Sequence, residues 1–379
     1  MILKVSSILI ALILCLEGIQ AGNNVLCYYG SWGASRPGNG SIYSRDIPAE
    51  LCTHIFYAFL GLHENGTLKI ANYSLDIEEG NLRGLSDLKK INPDLKTIFS
   101  IGGAADNTGD IGLIADDPVK LENMAQSAID FCKEYNYNGI DVDWEYPNKN
   151  ETFISLLKHL KERLEPHGLL LTAAVDQLPF NAPYDVVNMT KYLDLINVMS
   201  YDFHSPYYQT GQNSPLYSSP LEGEWQRDNL NANSSMVHWL EYGAIKEKLV
   251  MGCGFYGKAM ILEDAANHGL MAPVKTANNP GPYTDNIGTL GYNELCDFHM
   301  KSATVTWDDD QKVPYLYEGD LWVGYDDERS VALKAQYVKD NNLFGLMMWS
   351  VETDDAHGNC GNGKWPLLNS INKVMKGSS

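Results

Sequence analysis

The chain reads as an α/β protein built on a (β/α)8 TIM barrel, with a small α+β insertion between the seventh strand and its helix. Three observations predict this. Short apolar runs of strand character recur eight times, stretches of helical period separate them, and about 90 residues lie between the seventh run and the eighth. The runs are 25–29, 54–59, 97–101, 139–143, 169–175, 195–199, 249–252 and 344–349. Helical patterns fill 118–135, 151–164 and 329–341; in the second, Phe153, Leu156, Leu157, Leu160 and Leu164 share one face. Strands alternating with helices suit a closed parallel barrel, whose active site lies at the C-terminal strand ends. The long connection, 258–322, is rich in Gly, Pro, Tyr and Asn and holds strand-like pieces at 304–307 and 313–317. It is expected to form a subdomain walling one side of a cleft, and one short helix is expected after Trp365.

The first residues carry Lys4, an apolar core over 5–16 too short to span a bilayer, and the small-residue exit Ala21-Gly22. A signal peptide is therefore expected over 1–21, with 22–379 forming the barrel, and no later segment has the length and apolarity of a membrane span. A hydrophobic content of 44% supplies a core, while a net charge of −20 repels phosphate backbones and anionic headgroups. Nucleic acid and membranes are poor partners, and a neutral substrate fits better. Of seven cysteines, Cys15 lies in the leader and none of the rest forms a CxxC pair, which argues against zinc. Sequons at Asn39, Asn65, Asn72, Asn150, Asn188 and Asn233 agree with passage through the secretory pathway. An extracellular, secreted monomer is expected.

Chemistry concentrates at the end of the fourth run. Side chains alternate faces along a strand, so Asp141, Asp143 and Glu145 line one face while Val142 and Trp144 point the other way. Like charges this close cannot all ionise at neutral pH, and the group least able to release its proton becomes a candidate general acid. Three carboxylates also suit a magnesium or calcium site, or an acidic loop in solvent. His54 and His204 are the histidines nearest these runs, and they are assigned no role.

The run Tyr137-Asn138-Gly139-Ile140-Asp141-Val142-Asp143-Trp144-Glu145-Tyr146-Pro147 resembles the signature of the family 18 glycoside hydrolases, the chitinases and chitinase-like lectins, in the form of an insect or animal catalytic barrel. Further blocks resemble the family in the same order: Cys27-Tyr28 to Trp32, Arg36-Pro37-Gly38, Cys52-Thr53-His54, Ser100-Ile101-Gly102-Gly103, Met199-Ser200-Tyr201-Asp202, Phe255-Tyr256-Gly257, Val323-Gly324-Tyr325-Asp326-Asp327 and Met348-Trp349. The resemblance implies hydrolysis of chitin with retention of configuration, in which the substrate's own acetamide is the nucleophile. Glu145 would be the proton donor, Asp143 would hold the acetamide nitrogen, Asp141 would share a proton with Asp143, Tyr201 would donate to the acetamide oxygen and Asp202 would position the sugar. Tyr28, Trp32, Phe59, Gly102, Met199, Tyr207, Tyr256 and Trp349 would bind substrate, with Trp349 as the floor. No metal or cofactor is implied. The family pattern pairs Cys27 with Cys52 and Cys296 with Cys360, leaving Cys132 and Cys253 free.

The chain also departs from the family. Asn138 stands where an aspartate is usual, Ala104 where many relatives carry a cleft tryptophan, Lys258 for an arginine and Glu352 for an aspartate. The resemblance therefore leaves a chitinase, a lectin that binds chitin oligosaccharides without cutting them, and an enzyme of related kind acting on glycan cores, against which the insertion and Trp32 argue. Retention of Glu145 favours the enzyme.

Overall fold

The computed structural model describes residues 22–104 and 108–377, so the leader expected over 1–21 lies outside the described residues. Eight strands form the barrel: β1 (Asn24–Gly30), β2 (His54–Leu62), β3 (Lys96–Gly102), β4 (Gly139–Asp143), β5 (Leu170–Val175), β6 (Leu195–Val198), β7 (Leu249–Gly254) and β8 (Gly345–Trp349). Each pairs in parallel with the next, and β8 returns to β1, so the ring closes without a free edge.

Period-two alternation divides the strand residues between two cores. On β1, Val25, Cys27 and Tyr29 face the helices, whereas Leu26 and Tyr28 join Phe56, Ile98, Val250 and Met347 inside the barrel. The helices outside follow their apolar stripes. Helix Pro118–Tyr135 starts where the Asp117 side chain accepts from Val119 N and Lys120 N, with Pro118 in the first turn, and it stops at Asn136 in the left-handed region. Helix Asn150–Leu164 buries Phe153, Leu156, Leu157, Leu160 and Leu164 against the barrel. No helix among the described residues is long and apolar enough to cross a membrane.

A second, antiparallel sheet begins almost where β7 ends. Its first strand, Tyr256–Leu262, pairs with Val274–Ala277, Thr289–Gly291 and Leu321–Gly324, and Val313–Glu318 and Thr304–Asp308 extend it. Tyr256, which reads in the sequence as part of a barrel-end motif, thus opens this sheet. Helix Tyr292–Phe298 belongs to the same layer, and the Cys296–Cys360 disulfide ties it to the segment after β8. A second disulfide, Cys27–Cys52, fastens β1 to the turn before β2, while Cys132 and Cys253 are free and buried. Chain 366–375 forms the expected last helix.

One buried ion pair holds the barrel to its loops. Lys334 Nζ lies 2.6 Å from both Asp326 oxygens and donates to Ser214 Oγ at 2.9 Å; that hydroxyl donates to Ser200 O at 2.7 Å. Both ion-pair side chains are fully buried. The chain next to Tyr201 is therefore anchored to the helix Glu328–Asp340.

Candidate active site

At the C-terminal mouth of the barrel, β4 directs Asp141 and Asp143 inward, and Glu145 follows just past its end. Asp141 is fully buried and accepts from four neighbouring strands. Tyr28 Oη (3.0 Å) and Ser100 Oγ (2.7 Å) donate to Oδ2, while Thr172 Oγ1 (2.5 Å) and Asn197 Nδ2 (3.4 Å) donate to Oδ1. Strand register explains two of these, since Ser100 and Thr172 lie directly beside Asp141 on β3 and β5. Burial lifts the Asp141 carboxyl above its ordinary range, and the donors oppose it.

Asp143 is in a harsher position. It is buried, and its Oδ1 has no hydrogen-bond partner. Burial first, then the charges of Glu145 and Asp141, push its carboxyl well above the ordinary range, while Asp141 takes the hydrogen-bond donors. Glu145 is partly exposed. Burial, then the charges of Asp202 and Asp176, push its carboxyl up to about 7. An acid of that strength can still donate a proton near neutral pH.

Asp202 borders Glu145 from beyond β6, with its backbone in the left-handed region at φ 60 and its N–H on Asn213 Oδ1 at 3.1 Å. Its Oδ1 accepts from the Tyr256 hydroxyl and lies 2.9 Å from Lys258 Nζ. Tyr256 and Lys258 are two apart on one strand and share a face, which is why both reach the same oxygen.

These groups border a cavity of about 150 Å³, lined by Asp143, Glu145, Tyr201, Asp202 and Tyr256 together with Tyr28, Phe59, Met199 and Trp349. Trp349 ends β8 as a flat aromatic surface, its ring centre 5.7 Å from Phe59, 5.8 Å from Tyr28 and 6.0 Å from Trp32. Flat aromatic surfaces suit the apolar faces of sugar rings. Of the described residues expected to bind substrate, Trp32, Gly102 and Tyr207 stand outside this wall. Trp32 is exposed at the rim beside Phe59, and Tyr207 is exposed on the loop after β6. Gly102, at φ 100, lets β3 approach β4 so closely that a Cβ would lie 2.0 Å from the Asp143 carbonyl.

Ala104 lines the cavity at the position expected for the cleft, as does Tyr146 of the acidic run; Gln177 and Ala174, which carry no sequence signal, line it too, and Gln177 Nε2 donates to the Tyr201 carbonyl at 2.6 Å. Thr172 and Asn197 carry no local signal and meet Asp141 only through strand register. Asn138 sits at the opposite end of β4 from Glu145. There its Oδ1 accepts from Thr97 N at 3.0 Å and its carbonyl accepts from Leu170 N at 2.8 Å, so it joins strands and does not extend the acid row. Glu352 is fully buried, accepts from Gly30 N at 3.1 Å and Ser350 Oγ at 2.6 Å, and pairs with Arg36 at 3.5 Å, fixing the loop that carries Trp32. Trp144 packs outward on Phe153, as strand parity requires. His54 lies at the far end of the barrel, and His204 bonds the Gln212 carbonyl at 3.0 Å. A larger cavity of about 870 Å³ opens at that far end and contains none of the acids above.

A family model described as glycosyl hydrolases family 18 matches residues 24–354. An endochitinase of Manduca sexta is 33% identical over 373 residues, covering 93% of this chain and 67% of that protein. The chain spans 67%, 54% and 16% of the length of three of the curated relatives it matches. Among solved structures, the Group IV chitinase of Ostrinia furnacalis in complex with allosamidin superposes with a TM-score of 0.90 at 41% identity, covering 93% of this chain and 99% of that one. Human YKL-39, described as a pseudo-chitinase with retained chitooligosaccharide binding properties, superposes at 0.88 with 32% identity, covering 94% and 100% of the two chains.

Proposed function

The chain belongs to the family 18 glycosyl hydrolases, and from that premise we propose that it is a secreted chitinase in which Glu145 is the proton donor. The observation that carries this reading is the placement of Glu145 beside the buried Asp143, whose Oδ1 has no hydrogen-bond partner, both on the wall of an aromatic-floored cavity, with burial and neighbouring charges raising both carboxyls.

Glu145 gives its proton to the glycosidic oxygen as the bond from the anomeric carbon to that oxygen breaks. The acetamide carbonyl oxygen of the same sugar bonds to that carbon, giving an oxazolinium ion, and Asp143 holds the acetamide nitrogen. Tyr201 directs its hydroxyl at the acetamide oxygen. Water then attacks the anomeric carbon, loses a proton to the Glu145 carboxylate, and reopens the ring with configuration retained. Asp202 positions the sugar, and Trp349, Tyr28 and Phe59 supply its apolar floor. The two disulfides and the short apolar leader support secretion. The Tyr256–Gly324 layer acts as a cleft wall.

Purified protein incubated with chitin oligosaccharides is expected to release shorter oligomers whose new reducing ends first appear as the β anomer, seen by NMR. Because the donor must be protonated, kcat/KM is expected to fall as pH rises through about 7. Binding without any product at acidic and neutral pH would instead establish a lectin, the behaviour stated for YKL-39.

A further inference from the structure

We propose that Gln177, two residues past the end of β5, is a positioning residue for Tyr201, holding the tyrosine's backbone so that its hydroxyl meets the acetamide oxygen in the transition state. This rests on the reading of the reaction above. Both residues line the cavity, and one bond joins them directly, from Gln177 Nε2 to the Tyr201 carbonyl at 2.6 Å. A carbonyl can only accept, so the amide nitrogen must face it, and chemistry sets the orientation of the carboxamide.

Strand register explains why a long side chain is used here. β5 and β6 pair from Thr172 and Leu195 to Val175 and Val198, and Met199 N continues the ladder by donating to Val175 O at 3.0 Å. β5 then turns away. Asp176 N donates to Tyr184 Oη at 3.3 Å, the Asp176 side chain accepts from Leu178 N at 2.9 Å, and its carbonyl accepts from Trp239 Nε1 at 3.1 Å. With those groups committed elsewhere, the Gln177 side chain reaches across and makes the next bond between the two strand ends.

Tyr201 depends on such anchors because its hydroxyl has none. Among the described residues no group bonds that hydroxyl, and packing seats the ring, 6.2 Å from the Tyr256 ring and over Gly252, where a Cβ would lie 3.0 Å from Cε1. The backbone around it is held from two sides. Ser214 Oγ donates to Ser200 O at 2.7 Å and Asp202 N donates to Asn213 Oδ1 at 3.1 Å, both within the chain that follows β6, whereas Gln177 is the anchor from β5. Loss of that bond frees the carbonyl of Tyr201 itself, and the hydroxyl at the far end of the ring moves with it. A displacement of about 1 Å costs most where charge develops during the reaction, so the effect falls on kcat and not on substrate binding.

The test is Gln177→Met, which keeps the length of the side chain and removes its donor, made alone and together with Tyr201→Phe. On chitin oligosaccharides Gln177→Met is expected to lower kcat about 3- to 10-fold, the scale of one neutral hydrogen bond, with KM changed by less than about two-fold. In the Tyr201→Phe background there is no hydroxyl to aim, and the same substitution is expected to change kcat by less than about two-fold. Tyrosine labelled with carbon-13 at Cζ reports the position directly. The Tyr201 resonance, assigned by its loss in Tyr201→Phe, is expected to shift or broaden in Gln177→Met. Equal losses in both backgrounds, a loss confined to KM, or an unmoved Tyr201 resonance would overturn the proposal. If the wild-type protein releases no product the enzyme reading fails, yet the Tyr201 resonance still decides whether Gln177 positions it.

Discussion

Glu145→Gln is expected to lower kcat on chitin oligosaccharides by about 10²–10⁴-fold, the usual contribution of a positioned general acid, while leaving their binding within a few-fold. Glutamine preserves the shape of the side chain and its place on the cavity wall but has no proton to give the departing oxygen. The acetamide can still approach the anomeric carbon, yet the leaving group must depart as an alkoxide. Paired measurements check this, with calorimetry for binding and chromatography of the products for turnover. Undiminished turnover would remove Glu145 from the mechanism. The partner measurement matters equally, because loss of binding together with turnover would indicate a damaged cleft.

Lys334→Ala is expected to cost about 3–5 kcal/mol of stability, the largest effect anticipated away from the site. The substitution leaves Asp326 fully buried with a serine hydroxyl but no cation. It also frees Ser214, which bonds the carbonyl just before Tyr201. Denaturant or thermal unfolding reads the first effect, and a weakened kcat/KM at temperatures where the variant stays folded reads the second. Replacing both partners by Asp326→Leu with Lys334→Met is expected to recover much of the stability, since burying an ion pair is itself expensive. If the double variant were as unstable as the single one, the loss would lie in packing and not in an uncompensated charge.

The barrel was legible because its signal is local. Each strand is a short apolar run, helices such as Pro118–Tyr135 carry their own cap and stripe, and the projection of Asp141, Asp143 and Glu145 follows from counting by two along one segment. What could not be read was anything that depends on how neighbouring strands are offset. Thr172 and Asn197 look unremarkable in their own segments, and only the pairing of β4 with β5 and the closure of the ring bring them to the acids. Loops were harder still. Tyr207 and Trp32 are aromatic residues near the mouth by sequence, but their final direction depends on loop paths that no periodicity encodes. Asn138 illustrates the same point in reverse, since it is close to the acids in sequence yet lies at the opposite end of the strand.

The second sheet reaches the acids of the barrel through one carboxylate, Asp202. Asp202 belongs to a barrel loop, while Tyr256 and Lys258, which hold it, belong to the first strand of the cleft wall. Position of the wall and acidity of Glu145 are therefore linked functions, and linkage runs both ways. Lys258, 2.9 Å from Asp202, offsets part of the negative charge that helps hold the proton on Glu145, so a residue of the cleft wall tempers an acid that belongs to the barrel.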